Sequence, residues 1–204
     1  MLRPVLLLAL ASLVAGAATG RVPQPDDKKD PQARFEPNSK PGEGQKFLEK
    51  FVGDWDVAKA FHPRGGGEPA KSTGTCRQTM VHGGRFLQSD FTFGAGDAQT
   101  SGTGLIGFEP ETGKFTSTWI DSRQTRMSFR QGADKFDGKK IVLLGQALGE
   151  GPKDGARRSQ TATTLEDGGK KIVHRQHAIE PDGTARLVME LVLTRKADAP
   201  KPPE

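Results

Sequence analysis

The sequence predicts an all-β fold: an antiparallel up-and-down β-barrel of about ten strands with a short N-terminal helix. Three observations carry this. From residue 54 to residue 196 short runs rich in β-branched and aromatic residues follow one another, bounded by Gly, Pro or Asp. The chain has 26 glycines and no collagen period, so tight turns recur along it. Nearly all connections are short enough to join antiparallel neighbours, and a long meander leaves exposed edges unless it closes on itself. An open sandwich is the alternative. No internal repeat points to a propeller or a solenoid.

In chain order, residues 1–17 read as a secretory signal peptide. Arg3 is the charged start, residues 5–14 are the apolar stretch, and Ala15-Gly16-Ala17 is the small-residue cleavage site. The apolar stretch is shorter than the roughly 18–20 residues that a spanning helix needs. Residues 18–41 carry Pro23, Pro25, Pro31, Pro37 and Pro41 around a charged run, which describes a disordered or extended linker. The folded domain is expected over 42–196 and a disordered tail over 197–204. Export to the periplasm or beyond follows from the signal.

Residues 42–52 predict the helix: Phe47, Leu48 and Phe51 form one apolar stripe, and Gly53 ends it. Strands are expected over 54–61, 71–81, 85–93, 100–108, 114–122, 126–136, 139–148, 157–165, 170–180 and 184–196. The pair 100–108 and 114–122 is the clearest hairpin. Pro110 presets φ, and Gly113 accepts the positive φ that closes the return. On its exit strand Phe115, Ser117, Trp119 and Asp121 share one face. Asp137-Gly138 has the residues of a type I′ hairpin turn, and residues 149–155 form a longer loop.

Composition narrows the function. The formal charge of +5 is spread along the chain, and no nucleic-acid-binding motif appears, so no nucleic acid is expected as a partner. After residue 17 no stretch is long and apolar enough to span a membrane as a helix. Cys76 is the single cysteine, so no intrachain disulfide can form, and a small buried hydrophobe on a strand is the expected role. Oligomeric state is not legible.

Gly53-Asp54-Trp55 sits between the helix and the first strand, and Arg195 sits near the end of the last one. This arrangement resembles lipocalins and their calycin relatives. That resemblance implies that Gly53, Trp55 and Arg195 close one barrel end, with the guanidinium over the indole. Residues 51–55 (Phe-Val-Gly-Asp-Trp), 83–87 (Gly-Gly-Arg-Phe-Leu), 104–108 (Gly-Leu-Ile-Gly-Phe), 114–122 (Lys-Phe-Thr-Ser-Thr-Trp-Ile-Asp-Ser) and the terminal Thr194-Arg195-Lys196 resemble the bacterial domain-of-unknown-function 1579 family. The resemblance spans about residues 47–196. It implies a lipocalin-like barrel, often exported, and brings no activity and no catalytic residues. Where that family usually has Gly-Tyr-Asp in the hairpin, this chain has Gly107-Phe108-Glu109, which removes a phenol.

Chemistry-bearing residues are sparse. His62, His82, His174 and His177 are the histidines. His174 and His177 lie three apart on one expected strand and so face opposite sides, which prevents joint chelation; the plainer reading is a partly exposed strand histidine. Haem through His174 or His177 is a minor alternative, no cofactor is the main expectation, and structural-zinc spacing is absent. Asp54, Asp90, Asp121 and Glu190 are the carboxylates of note. Asp121 is expected to cap the turn at residues 122–125; an inward position with a raised pKa would make it a general base. Arg126, Ser128 and Arg130 share a face that reads as solvated, with Met127 and Phe129 opposite. Turned inward, that face would make an anion pocket.

The function expected first is an exported barrel that binds a small, mostly apolar molecule. Its candidate contacts are Leu87, Phe91, Phe93, Ile106, Phe108, Phe115, Ser117, Trp119, Asp121 and Arg126. A structural or interaction module with a filled barrel is the alternative. An acid–base enzyme or a haem-binding barrel is a further one.

Overall fold

The computed structural model describes Phe35, residues 39–146 and residues 158–197. The signal peptide expected over 1–17, nearly all of the linker over 18–41, the loop over 149–155 and all but Ala197 of the tail lie outside the described residues. The barrel lies within the compact unit Lys40–Glu204.

One helix, α1 (Glu43–Glu49), precedes ten strands: β1 (Gly53–Phe61), β2 (Ala70–Val81), β3 (Phe86–Phe93), β4 (Thr100–Glu109), β5 (Lys114–Asp121), β6 (Ser128–Gly132), β7 (Lys140–Gln146), β8 (Arg158–Glu166), β9 (Lys171–Ile179) and β10 (Ala185–Arg195). Every strand pairs with its sequence neighbours, and β1 pairs with β10 from Trp55 opposite Arg195 to Phe61 opposite Met189. The barrel is therefore closed, and closure removes the unpaired edges of the meander.

Alternation sets the interior. Trp55 and Val57 of β1, Cys76 and Gln78 of β2, Leu87 and Ser89 of β3, Ile141 and Leu143 of β7, and Leu191 and Leu193 of β10 are buried at every second position. Cys76 is the small buried hydrophobe that its place on a strand suggests. Burial pushes its thiol up, far from the thiolate range.

One barrel end is sealed. The α1 residues Phe47 and Leu48, with Phe51 after them, pack under the barrel against Trp55 and neighbouring core residues. Phe136 joins them, within 4.8 Å of Phe47 and 5.0 Å of Phe115 between ring centroids. The buried Gln45 side chain accepts from Gly42 N at 2.8 Å and donates to the Phe108 carbonyl at 3.0 Å, which ties the helix to β4. Gly44 lies directly under Phe108: a Cβ there would be 2.1 Å from the ring.

Three local expectations are corrected. The strand expected over 126–136 is only Ser128–Gly132, because Phe136 leaves the sheet to fill the sealed end. Asp137-Gly138 makes no type I′ turn. Only Gly138 has positive φ, while the Asp137 carboxylate accepts from Lys139 N and Lys140 N, an Asx-type turn within a longer connection. In β10 strict alternation from Arg195 predicts one shared face for Leu187, Met189, Leu191 and Leu193, and Leu187 is lost from it. A bulge shifts the register between Leu187 and Met189, and Val188 takes the wall position.

Candidate functional site

The opposite end of the barrel opens into a cavity of about 650 Å³. This is within the size range of pockets that enclose one drug-sized molecule. Its wall comes from inward positions on β1 to β10, and the segment after β5 (Arg123, Gln124, Arg126) borders it at the mouth. A second hollow of about 380 Å³ adjoins it, sharing Arg126, Ser128, Arg130, Gln176 and Val188.

One part of the wall is aromatic. Phe91 and Phe93, two apart on β3, stack at 5.7 Å, and Phe91 meets Trp119 edge-on at 5.6 Å. Trp119 lies across β4 because β4 has no side chains beneath it. A Cβ at Gly102 would be 2.3 Å from the indole, and one at Gly104 3.3 Å. The indole N–H donates to Asp121 Oδ2 at 3.0 Å. Leu87, Ile106, Ser117 and Asp121 also border the cavity.

Asp121 does two jobs at once. It faces the cavity, and its Oδ1 accepts from Arg123 N at 2.9 Å, capping the turn. Burial raises its pKa, but the hydrogen bonds from Trp119 and Arg123 outweigh that, so the carboxyl sits below its ordinary value. A general base with raised pKa is therefore not what this residue is. Asp54, Asp90 and Glu190 face outward: Asp54 pairs with Arg77 at 3.0 Å and Glu190 with Arg175 at 2.7 Å, while Asp90 accepts from Thr103 and Gln88.

The solvated face expected for Arg126, Ser128 and Arg130 is the inward one. All three border the cavity, whereas Met127 and Phe129 on the other face are about half exposed. Register explains the inversion. Ser128 pairs with inward Trp119, and Arg130 pairs with Ser117 on one side and Gly145 on the other. Gly145 leaves room for the arginine stem: a Cβ there would be 3.1 Å from Arg130 Cγ. Arg126 Nε donates to Gln124 Oε1 at 2.8 Å at the exposed mouth. Lys59 also faces in, its ammonium 4.7 Å from the centroid of Phe93; burial first, and Arg123 second, lower its pKa.

His174 is the half-buried strand histidine that the sequence suggests, and it faces the interior. It borders the cavity, and its Nδ1 is 2.8 Å from Thr163 Oγ1. Burial, with Arg130 adding to it, pushes its pKa down to about 4, so the ring is neutral at pH 7. His177, three residues on, borders only the adjoining hollow, and its Nδ1 is buried without a hydrogen-bond partner among the described residues. No cluster of three metal-ligating side chains occurs among the described residues.

Two residues named from sequence as candidate contacts lie elsewhere. Phe108 and Phe115 are in the sealed end, 4.9 Å apart and packed on Phe136, not on the cavity wall. Gly53 is buried at the start of β1 with φ of 141°, a backbone favouring glycine. The Arg195 guanidinium stands 4.1 Å over Trp55, and the Trp55 indole N–H donates to the Phe51 carbonyl at 3.0 Å. Sequence reading left Lys59 and Gly145 unnamed. A signal existed for the last: glycine opposite arginine in adjacent strands marks a long side chain lying over a bare backbone.

The comparisons with known proteins agree with this architecture. The crystal structure of Rv2717c from M. tuberculosis superposes with a TM-score of 0.54 at 15% identity, over 77% of this chain and 99% of that one. At that identity the likeness concerns the fold. No curated protein matches. The profile of a family described as protein of unknown function, DUF1579, matches residues 40–195, which is the whole barrel with its helix. The chain thus belongs to the DUF1579 family.

Proposed function

We propose that this protein is an exported barrel that binds one small, mostly apolar molecule in its interior. The observation that carries the reading is the cavity itself. A barrel filled by its own side chains has no space of about 650 Å³. Phe91, Phe93, Ile106, Trp119 and Leu191 give it apolar surface, and Gln78, Ser89 and Thr161 place buried polar atoms among them. Apolar surface with a few convergent polar groups is the usual composition of a small-molecule site.

Titration with the uncharged fluorophore N-phenyl-1-naphthylamine tests it. Saturable, one-to-one binding that quenches Trp119 is the expected result, with Trp119→Phe removing the quench. Folded protein that binds neither this probe nor laurate sinks the reading and favours an interaction module. Haem through His174 is a second reading, favoured by Thr163 holding Nδ1 and leaving Nε2 as the available ligand atom. A Soret band on haem addition, lost in His174→Ala, would establish it. For export, N-terminal sequencing of protein from the exported fraction should begin just after Ala17.

A further inference from the structure

We propose that the occupant is an organic acid, an apolar body carrying one carboxylate, and that Arg130 holds that carboxylate inside the barrel. This deepens the ligand-binding reading and rests on it. The charge of the wall is lopsided. Lys59, Lys71, Arg123, Arg126 and Arg130 border the cavity, and Asp121 is the one carboxylate among the described residues that does. Asp121 is already committed to Trp119 and to the Arg123 backbone.

Arg130 is the deepest contradiction in that wall. Among the described residues it has no ion pair and no hydrogen bond, although burial is sufficient to lower its pKa. It stays a cation at any working pH. A desolvated charge without a partner costs free energy, and truncating an arginine to an apolar residue would remove that cost. Instead the fold provides the guanidinium with a seat: Gly145 clears the space under its stem, and Ser117 flanks it on β5. His174 beside it is neutral and supplies no countercharge.

A ligand carboxylate supplies what is missing. The planar fork of a guanidinium donates two parallel hydrogen bonds to a carboxylate, and in a low-dielectric cavity such a pair is stronger than in water. The aromatic group of Phe91, Phe93 and Trp119 takes the apolar body. Lys59, Arg123 and Arg126 toward the mouth attract an anion before it is bound.

The test uses the full chain and three molecules with one tail: laurate, 1-dodecanol and dodecylamine, each displacing N-phenyl-1-naphthylamine. Laurate should displace the probe at a concentration about tenfold or more below that of dodecanol, the loss expected for one charged hydrogen-bonded contact; dodecylamine should be weakest. Arg130→Met should bring laurate to the level of dodecanol, each measured against the probe's own affinity for the variant. Laurate no better than dodecanol, or a preference that survives Arg130→Met, overturns the inference while probe binding keeps the broader reading. If the probe does not bind, calorimetry with laurate decides. One-to-one binding lost in Arg130→Met upholds the acid, and no binding overturns both. If Arg130→Met does not fold, Gly145→Ala crowds the Arg130 stem and Ser159 Oγ, displacing the guanidinium without removing its charge. It should weaken laurate and spare dodecanol, and an unchanged laurate affinity overturns the inference.

Discussion

Arg195 and Trp55 face each other as register partners across the β1–β10 seam, the guanidinium carbon 4.1 Å from the indole centroid. The same guanidinium donates to the carbonyls of Gly169 and Lys50, each at 2.9 Å, and to that of Val52. One side chain thus joins the last strand, the β8–β9 turn and the exit of α1. Arg195→Ala should lose about 2–4 kcal/mol, from the cation–π contact and the orphaned carbonyls together. Arg195→Lys keeps the charge, loses the fork, and should lose about half as much. Urea unfolding midpoints at constant slope measure both.

Gly44→Ala sets two effects against each other. Alanine is the better helix former by about 1 kcal/mol. Its Cβ would lie 2.1 Å from the Phe108 ring, which is itself wedged against Phe115 and Phe136. Overpacking of that kind costs about 1–3 kcal/mol, so net destabilisation is expected. A rise in melting temperature would show that the helix undocks freely.

Gly102→Ala is the matching test at the cavity. The added methyl occupies the position of the Trp119 indole. Trp119 must swing away, breaking its hydrogen bond to Asp121. Trp emission should shift to the red, and affinity for the fluorescent probe should fall by about tenfold or more. Unchanged emission would mean that the strand, not the indole, gives way.

Acid should expose His174. Its ring has a pKa near 4 when folded and 6.5 when free, so the unfolded chain binds the extra proton between those values. Stability is then fully present above about pH 6.5 and falls as pH drops toward 4, by an amount on the order of 3 kcal/mol. His174→Gln should flatten that slope. Denaturant midpoints at pH 7 and pH 4.5 compare the two chains directly.

Cys76 should be inert. Its thiol is buried, and burial, with the Asp90 charge adding, holds it protonated. Folded protein should not react with a disulfide-exchange reagent on the timescale that labels the urea-unfolded chain completely. Fast native labelling would require local opening of β2.

The barrel was legible because its signals are local. Gly113 in the β4–β5 turn, alternation from Phe115 to Asp121, and Trp55 with Arg195 at the two chain ends each announce themselves in a few residues. The site was less legible because its decisive signals are relational. Met127-Phe129 and Arg126-Arg130 alternate equally well either way round, and hydrophobicity alone turns the wrong pair inward. Only pairing with Trp119 and Gly145 fixes the direction. The bulge before Met189 has no signature in residue type and changes parity for everything ahead of it. Phe136 looked like the end of a strand because aromatic residues favour strands; its ring found a better partner in Phe47 and Phe115.

The seal made by α1, Trp55 and Arg195 has a kinetic meaning. A barrel stoppered at the bottom is a blind sac, so a molecule that enters must leave by the same door. Through-transport is ruled out for such a vessel, and two guests cannot queue independently. Uptake and release of the proposed ligand would share one rim, where Arg123, Arg126 and Lys71 stand. Salt should therefore slow the arrival of an anion far more than it hastens departure, because screening weakens long-range attraction before it touches a contact already made.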